Sequence, residues 1–339
     1  MKKRTIATIL ATMMAVSMLA GCGSSSETPA KEQKTEEAKA PEQTQETTAS
    51  DVDWPNGAIN FINPSAAGGE TDVYGRLFNR YFEKKLGTSC VTTNMPGGGG
   101  TISTTEVAGS AADGQTALIF HNGFIINSLM GMTDLNIDSF EIAGIVCEDA
   151  TQGFYTRADA PYDTIAEMVE YVKGGGEVSV ATEVGSFTHF QLLALEKAAD
   201  VELTLVDAGT TTEKIAAMLA GNVDILGTNN ATMADYVTKG DMKCLGTLTE
   251  ERLDCSPDVP TFKEQGYDVV FTKFFFIAFP GGTDKAIVDK ASQTLVEIAN
   301  DPAYVEELAG YNATPVAMTA EEATAYMKQI ETEYAALLQ

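Results

Sequence analysis

From Ile59 onward the chain alternates short apolar runs with stretches of helical spacing, joined by glycine-rich turns, and this pattern limits its fold more than any other feature. Ile59-Asn60-Phe61-Ile62 reads as a strand. Val73 to Leu86 has helical spacing, with Val73, Leu77, Phe78, Tyr81 and Phe82 near one face, and Gly87 stops it. Cys90 to Thr93 is a strand, Thr101 to Ala108 a short helix and Thr116 to Phe120 a strand. Thr164 and Glu167 form a capping box ahead of a helix from Ile165 to Val172. Val178 to Ala181 is a strand and His189 to Ala199 a helix. Leu203 to Val206, Glu213 to Ala220 and Val223 to Leu226 repeat strand, helix, strand. The chain ends in helices over Asp284 to Ala299, Pro302 to Leu308 and Glu321 to Leu338. Such alternation predicts parallel sheets covered by helices, an α/β architecture.

Two turns between strand and helix carry the densest glycine. One runs from Asn63 through Ser65, Ala66, Ala67, Gly68, Gly69 and Glu70 to Thr71 and Asp72. The other is Asn94-Met95-Pro96-Gly97-Gly98-Gly99-Gly100-Thr101. Glycine lets backbone N–H groups approach a ligand closely. A helix start adds unpaired donors and partial positive charge, which suits an anion. Ligands of open α/β sheets lie beyond the strand C-termini, where both turns fall. Neither turn is a nucleotide fingerprint: no Gly-Lys-Ser/Thr occurs and the dinucleotide glycine pattern is incomplete. In helix terms, Thr71 and Asp72 are capping residues, and Arg76 and Arg80 lie on a solvated helix face.

Ahead of the alternating region, Lys2, Lys3 and Arg4 precede an apolar stretch from Ile6 to Leu19, ending in Leu19-Ala20-Gly21-Cys22. This order of charged, apolar and small residues reads as a secretion signal over residues 1–21, its apolar core too short to span a bilayer. The Leu-Ala-Gly-Cys ending resembles a bacterial lipobox, which implies cleavage before Cys22, lipidation there and an extracytoplasmic protein anchored to membrane lipid. Residues 22–51 are polar, low in complexity and without an aromatic residue, a composition that stays disordered as a tether. The folded part begins near Trp54. Loss of the leader takes the formal charge from −26 to −29. So acidic a surface excludes nucleic acid and anionic lipid headgroups as partners, and an anion site must be built locally.

Five cysteines and two histidines are present. No CxxC pair or Cys/His spacing suits a metal, so neither a metal nor another cofactor is expected. Cys90 and Cys147 sit in strand-like runs as buried thiols, and a Cys244–Cys255 disulfide is open in this compartment. A third turn, Gly185-Ser186-Phe187-Thr188-His189, again joins strand to helix. Read as an enzyme, it would make Ser186 a nucleophile and His189 its base in a surface-anchored hydrolase. The nucleophile-elbow spacing is absent, and a hydrogen bond from this turn to a ligand is the plainer use.

Six segments then occur in order: Pro64 to Asp72, Asn94 to Gly98, Ala112-Asp113-Gly114-Gln115-Thr116, Gly185 to His189, Gly221-Asn222-Val223-Asp224 and Asp258 to Tyr267. Together they resemble the solute-binding proteins of tripartite tricarboxylate transporters, the Bug family, from Trp54 nearly to the C-terminus. The resemblance implies a two-domain, periplasmic-binding-protein-like (Venus flytrap) α/β fold with crossover strands. Residues 54–152 with 273–339 would form the first domain and residues 153–272 the second. It implies capture of a small organic carboxylate by a monomer and delivery to membrane permease subunits driven by an ion gradient, without catalysis. A sensory co-receptor binding the same ligand is the alternative. Ser65, Ala66, Ala67, Gly68, Gly69, Thr71 and Asp72 would hold one carboxylate, together with Gly97, Gly98, Gly99 and Thr101. His121, Asn122, Ser186, Thr188, His189, Asp207, Gly209, Thr210 and Asn229 would read the rest. The family's usual Pro-Tyr-Lys-Gly loop is Asp207-Ala208-Gly209-Thr210 here. That change favours a mono- or dicarboxylate, with an amino or hydroxyl substituent, over a tricarboxylate.

Overall fold

A computed structural model of the chain describes residues 52–338. The leader, Cys22 and the tether lie outside the described residues. Eleven strands and ten α-helices follow one another there. In chain order they begin β1 (Ile59–Asn63), α1 (Glu70–Leu86), β2 (Cys90–Asn94), α2 (Thr101–Ala108), β3 (Thr116–His121), α3 (Gly123–Leu129) and β4 (Phe140–Asp149). Then come β5 (Gln152–Arg157), α4 (Ile165–Lys173), β6 (Ser179–Thr182), α5 (Phe187–Ala199), β7 (Thr204–Asp207), α6 (Thr211–Leu219), β8 (Ile225–Asn229), α7 (Asn230–Lys239) and β9 (Met242–Thr247). The last are β10 (Lys273–Pro280), α8 (Lys285–Ala299), α9 (Pro302–Ala309), β11 (Thr314–Pro315) and α10 (Ala320–Leu337).

The strands form two sheets, ordered β11-β4-β10-β3-β1-β2 and β7-β6-β8-β5-β9. Each contains a parallel trio with helical crossovers: β2-β1-β3 in the first and β7-β6-β8 in the second. The sheets are nevertheless mixed, which corrects the expectation of parallel sheets. β10 runs antiparallel to β3 and β4, and β5 antiparallel to β8 and β9. The cause lies where the chain changes sheets. It leaves the first through β4 and enters the second as β5 after only Ala150 and Thr151, then returns from β9 to β10. Those strands need no helical crossover, so nothing holds them parallel to the trios.

Helix α1 shows how apolar spacing sets the packing. Tyr74, Leu77, Phe78 and Phe82 are buried, whereas Arg76 and Arg80 point outward. Phe61 of β1 meets Phe82 edge-on at 5.8 Å and Phe78 at 6.5 Å. Gly87 ends the helix in the left-handed region, with φ 68°. The helix starts at Glu70, earlier than its apolar residues alone indicate, because Glu70 and Asp72 complement the first-turn dipole. Trp54 is buried, its Nε1–H donating to Gly114 O at 3.0 Å.

Two local expectations change. Thr164 does cap α4, accepting from Glu167 N at 3.1 Å, but the Glu167 carboxylate accepts from Asp163 N at 2.6 Å, so the reciprocal half of the box is missing. Cys244 and Cys255 are free thiols, as are buried Cys147 and half-buried Cys90. Burial pushes the Cys90 and Cys244 thiols up to about 12.

Candidate functional site

The C-terminal ends of the two parallel trios face each other across a seam. Asn229, at the end of β8, donates from Nδ2 to Glu70 Oε1 at 3.0 Å, at the start of α1. The N–H of Gly99, after β2, donates to Glu183 Oε1 at 2.9 Å, after β6. The ring of His121, at the end of β3, lies 6.0 Å from that of Phe187, at the start of α5. Ligand-reading loops of α/β sheets gather at this kind of edge.

A polar clasp closes one part of the seam. The Lys273 ammonium pairs with the Glu70 carboxylate, and both side chains are nearly buried, 11% and 13% exposed. Gln152 Nε2 donates to the same carboxylate at 3.2 Å. Next to it, Asp149 accepts from Tyr74 OH at 2.9 Å, Asn229 Nδ2 at 2.7 Å, Thr151 N at 2.8 Å and Thr151 Oγ1 at 2.6 Å. The Lys273 stem reaches over Phe187 and Phe275, its ammonium 5.5 and 5.7 Å from their ring centres. Burial raises the Glu70 carboxyl above its ordinary range; the Lys273 ammonium opposes this and the Asp149 carboxylate reinforces it. Burial and the same two carboxylates push the Tyr74 phenol far up, so it remains a donor.

The first glycine turn is largely self-bonded. Ser65 N donates to Asn63 Oδ1 at 2.9 Å, Gly69 N to Ala66 O at 3.0 Å and Gly68 N to Asp72 Oδ2 at 2.9 Å. Asp72 also accepts from Arg76 Nε at 2.9 Å and Asn94 Nδ2 at 2.8 Å, which holds its carboxyl below the usual range despite its partial burial. Among the described residues, the N–H groups of Ala66, Ala67, Thr71 and the Glu70 backbone have no partner. Gly68, with φ 80°, carries the left-handed turn, whereas Gly69 has an ordinary φ of −73°.

The second turn is held tightly. Gly97, Gly98, Gly99 and Gly100 all have positive φ, and Asn127 Nδ2 donates to Gly99 O at 2.9 Å. Thr101 turns its hydroxyl back to Gly98 O at 2.9 Å. It helps line a trough of about 620 Å³ with Ile102, Thr105, Glu106, Gly109 and Ser110. That trough opens on the outer face of α2 and holds a carboxylate and no cation, so it suits an anion poorly.

Both histidines are neutral donors. His121 Nδ1 accepts from Gly123 N at 2.9 Å and His189 Nδ1 from Gly185 N at 3.0 Å, which leaves the proton on each Nε2. Burial, helped by the Lys273 charge, holds the His121 pKa well below its ordinary value, and burial alone lowers that of His189. Ser186 caps α5: its Oγ accepts from His189 N at 3.3 Å and shares a hydrogen bond with Thr182 Oγ1 at 2.9 Å. The Ser186 hydroxyl and His189 imidazole are therefore each engaged elsewhere, not with each other as nucleophile and base. Thr188 Oγ1 donates to Gly227 O at 3.4 Å. Asn122 is fully buried and donates to Thr272 O at 2.9 Å and to Tyr334 at 2.7 Å. Asn229 is wholly occupied, since its Oδ1 also caps α7 through Thr232 N at 3.0 Å.

The loop from Asp207 to Thr210 presents little to the seam. Asp207, Gly209 and Thr210 are exposed. Asp207 Oδ1 accepts from Gly209 N at 3.2 Å, and Thr210 forms a full capping box with Glu213. One turn further, Lys214 is the buried member of this segment, 9% exposed. Its backbone N–H donates to Thr210 O at 2.9 Å, but its ammonium makes no hydrogen bond or ion pair among the described residues. Burial lowers its pKa; Glu183 and Asp207 act against that and Lys273 acts with it.

Sequence reasoning missed Glu70, Gln152, Glu183, Lys214 and Lys273. Two signals were present. Lys214 stands four residues before buried Met218, on the apolar face of its helix. Lys273 opens an otherwise apolar run, Phe274 to Pro280, every residue of which is buried.

The model of the TctC family, described as tripartite tricarboxylate transporter family receptor, matches residues 75–339. A Cupriavidus necator relative, the UPF0065 protein in the gbd 5' region, is 28% identical over 273 residues, covering 79% of this chain and 83% of that one. The structure of the periplasmic binding protein BugD is 30% identical with a TM-score of 0.77, covering 84% of this chain and 97% of BugD. MatC of Rhodopseudomonas palustris, solved with bound malate, shares the fold at 23% identity and a TM-score of 0.78, covering 84% of this chain and 100% of that one. The two-sheet α/β fold is that of these binding proteins, and the chain belongs to the tripartite tricarboxylate transporter receptor family.

Proposed function

We propose that this receptor captures a small organic carboxylate in the seam between its two sheets. The observation that carries the reading is local. In a chain of net charge −26, unpaired N–H groups of the turn before α1, two neutral histidines and the buried ammonium of Lys214 lie along one seam. A ligand touching both sides favours the closed arrangement by its differential affinity. Residues 54–152 with 273–339 would act as one lobe and residues 153–272 as the other. The ligand class is a mono- or dicarboxylate, with an amino or hydroxyl group tolerated. The protein works outside the cytoplasm, held to the membrane by lipidated Cys22 on the tether of residues 22–51. It hands its ligand to membrane permease subunits.

Calorimetric titration and thermal unfolding with malate, succinate, glutamate and citrate test this reading. A carboxylate at 100 times its Kd should stabilise the protein by about 2.7 kcal/mol. The proposal fails if no carboxylate gives either a binding heat or a rise in Tm.

A further inference from the structure

We infer that Lys214 binds a second anionic group of the ligand, so that this receptor selects dicarboxylates over matched monocarboxylates. The inference rests on the seam being the ligand site. Nearly every other charge there already has a partner. Lys273 pairs with Glu70, Asp149 accepts from Tyr74, Thr151 and Asn229, and Glu183 accepts from Gly99 N. Asp207 accepts from Gly209 N. Of the two seam lysines, only Lys214 has an ammonium with neither hydrogen bond nor ion pair among the described residues, although the residue is 9% exposed.

An ammonium buried without a partner is destabilising, and a bound anion removes that penalty. The side chain is placed for the role. Lys214 lies in the first turn of α6, four residues before buried Met218 and on the same helix face, and the residue is itself buried. Glu183, Asp207 and Lys273 are the charged groups that face it. Burial lowers its pKa, and Glu183 and Asp207 oppose that. The unpaired N–H groups of Ala66 and Ala67 lie on the side of the first sheet, and Lys214 on the side of the second. A ligand with a carboxylate at each end serves both.

The test is calorimetric titration of succinate, glutarate and adipate against butyrate, valerate and hexanoate, using wild type, Lys214→Met and Lys214→Arg. Wild type should bind at least one diacid about tenfold more tightly than its monoacid. Lys214→Met should weaken that diacid by about 10- to 100-fold, as expected for losing a charge-assisted contact, and weaken the monoacid far less. Lys214→Arg should retain part of the preference. Unliganded Lys214→Met should melt no lower than wild type, which separates lost recognition from lost folding. Equal diacid affinity in Lys214→Met and wild type overturns the inference and leaves the carboxylate reading standing. So does a wild type that prefers monoacids, or one that binds only carboxylates with a single acid group. If Lys214→Met does not fold, full diacid preference in a folded Lys214→Gln variant overturns it equally.

Discussion

Lys273→Met is expected to lower the stability of the unliganded protein by about 3–5 kcal/mol, the usual effect of removing one partner from a buried ion pair. For a chain of this size that is a fall in Tm on the order of 10 °C. Methionine keeps the stem over Phe187 and Phe275, so most of the loss is electrostatic. The variant leaves Glu70 facing Asp149 with only the Gln152 and Asn229 amides to balance it. The pH dependence has a definite sign. Glu70 is already raised by burial, and Lys273 is the main influence holding it down. Without the lysine its folded pKa rises further. A carboxyl whose folded pKa exceeds its unfolded value contributes stability that is fully present below the unfolded pKa and is lost as pH rises through the folded one. The deficit of Lys273→Met against wild type should therefore be small at acidic pH and full near pH 8. Adding Glu70→Gln should restore part of the loss at pH 8. Thermal unfolding between these limits reads the effect, and a deficit independent of pH would assign the loss to packing.

Gly100→Ala should be the most damaging small substitution in the glycine turns. Gly100 has φ 101°, and a Cβ there would meet the Phe120 ring at 2.3 to 3.2 Å. Phe120 is buried to 2% exposure, so the ring has nowhere to retreat. The left-handed backbone contributes about 1–2 kcal/mol and the overpacking about 1–3 kcal/mol, a total of roughly 2–5 kcal/mol. Phe120 also abuts His121, with ring centres 4.7 Å apart, so displacement of the ring moves a seam donor and should weaken ligand binding as well. Gly68→Ala is the control: its φ is 80°, but nothing lies within 4 Å of its Cβ, so about 1–2 kcal/mol is expected. Equal losses in the two variants, measured by denaturant unfolding, would contradict the packing argument.

The α/β class was legible because the parallel trios obey helical crossovers, and α1 and α8 bury residues at their apolar spacing. The sheet-switching strands were not. After Lys273, β10 is apolar to its end, buried on both faces, and lacks the alternation that marks a strand with one wet side. The short α3, Gly-Phe-Ile-Ile-Asn-Ser-Leu, is buried through its first five residues and shows no amphipathic period for the same reason. The glycine turns themselves were legible as strand–helix junctions, since glycine there marks backbone geometry. Which side chains face the seam was not, because that depends on helix phase and on the partner sheet. Thus the segment from Asp207 to Thr210 drew notice by its departure from the family's Pro-Tyr-Lys-Gly loop, yet the buried charge beside it is Lys214, four residues further on. Glu70 looked like an ordinary first-turn acid. Only the return of the chain as β10 brings Lys273 to it, 203 residues further on.

Hydrogen–deuterium exchange, with and without the tightest-binding carboxylate found by calorimetry, tests the central claim most directly. A ligand held in the seam should slow exchange at the unpaired amides of Ala66 and Ala67 and at the first turns of α1, α5 and α6 together, on both sides at once. The trough on the outer face of α2, around Ile102 and Glu106, should exchange unchanged. Protection confined to α2, or to one sheet alone, would contradict capture between the two sheets.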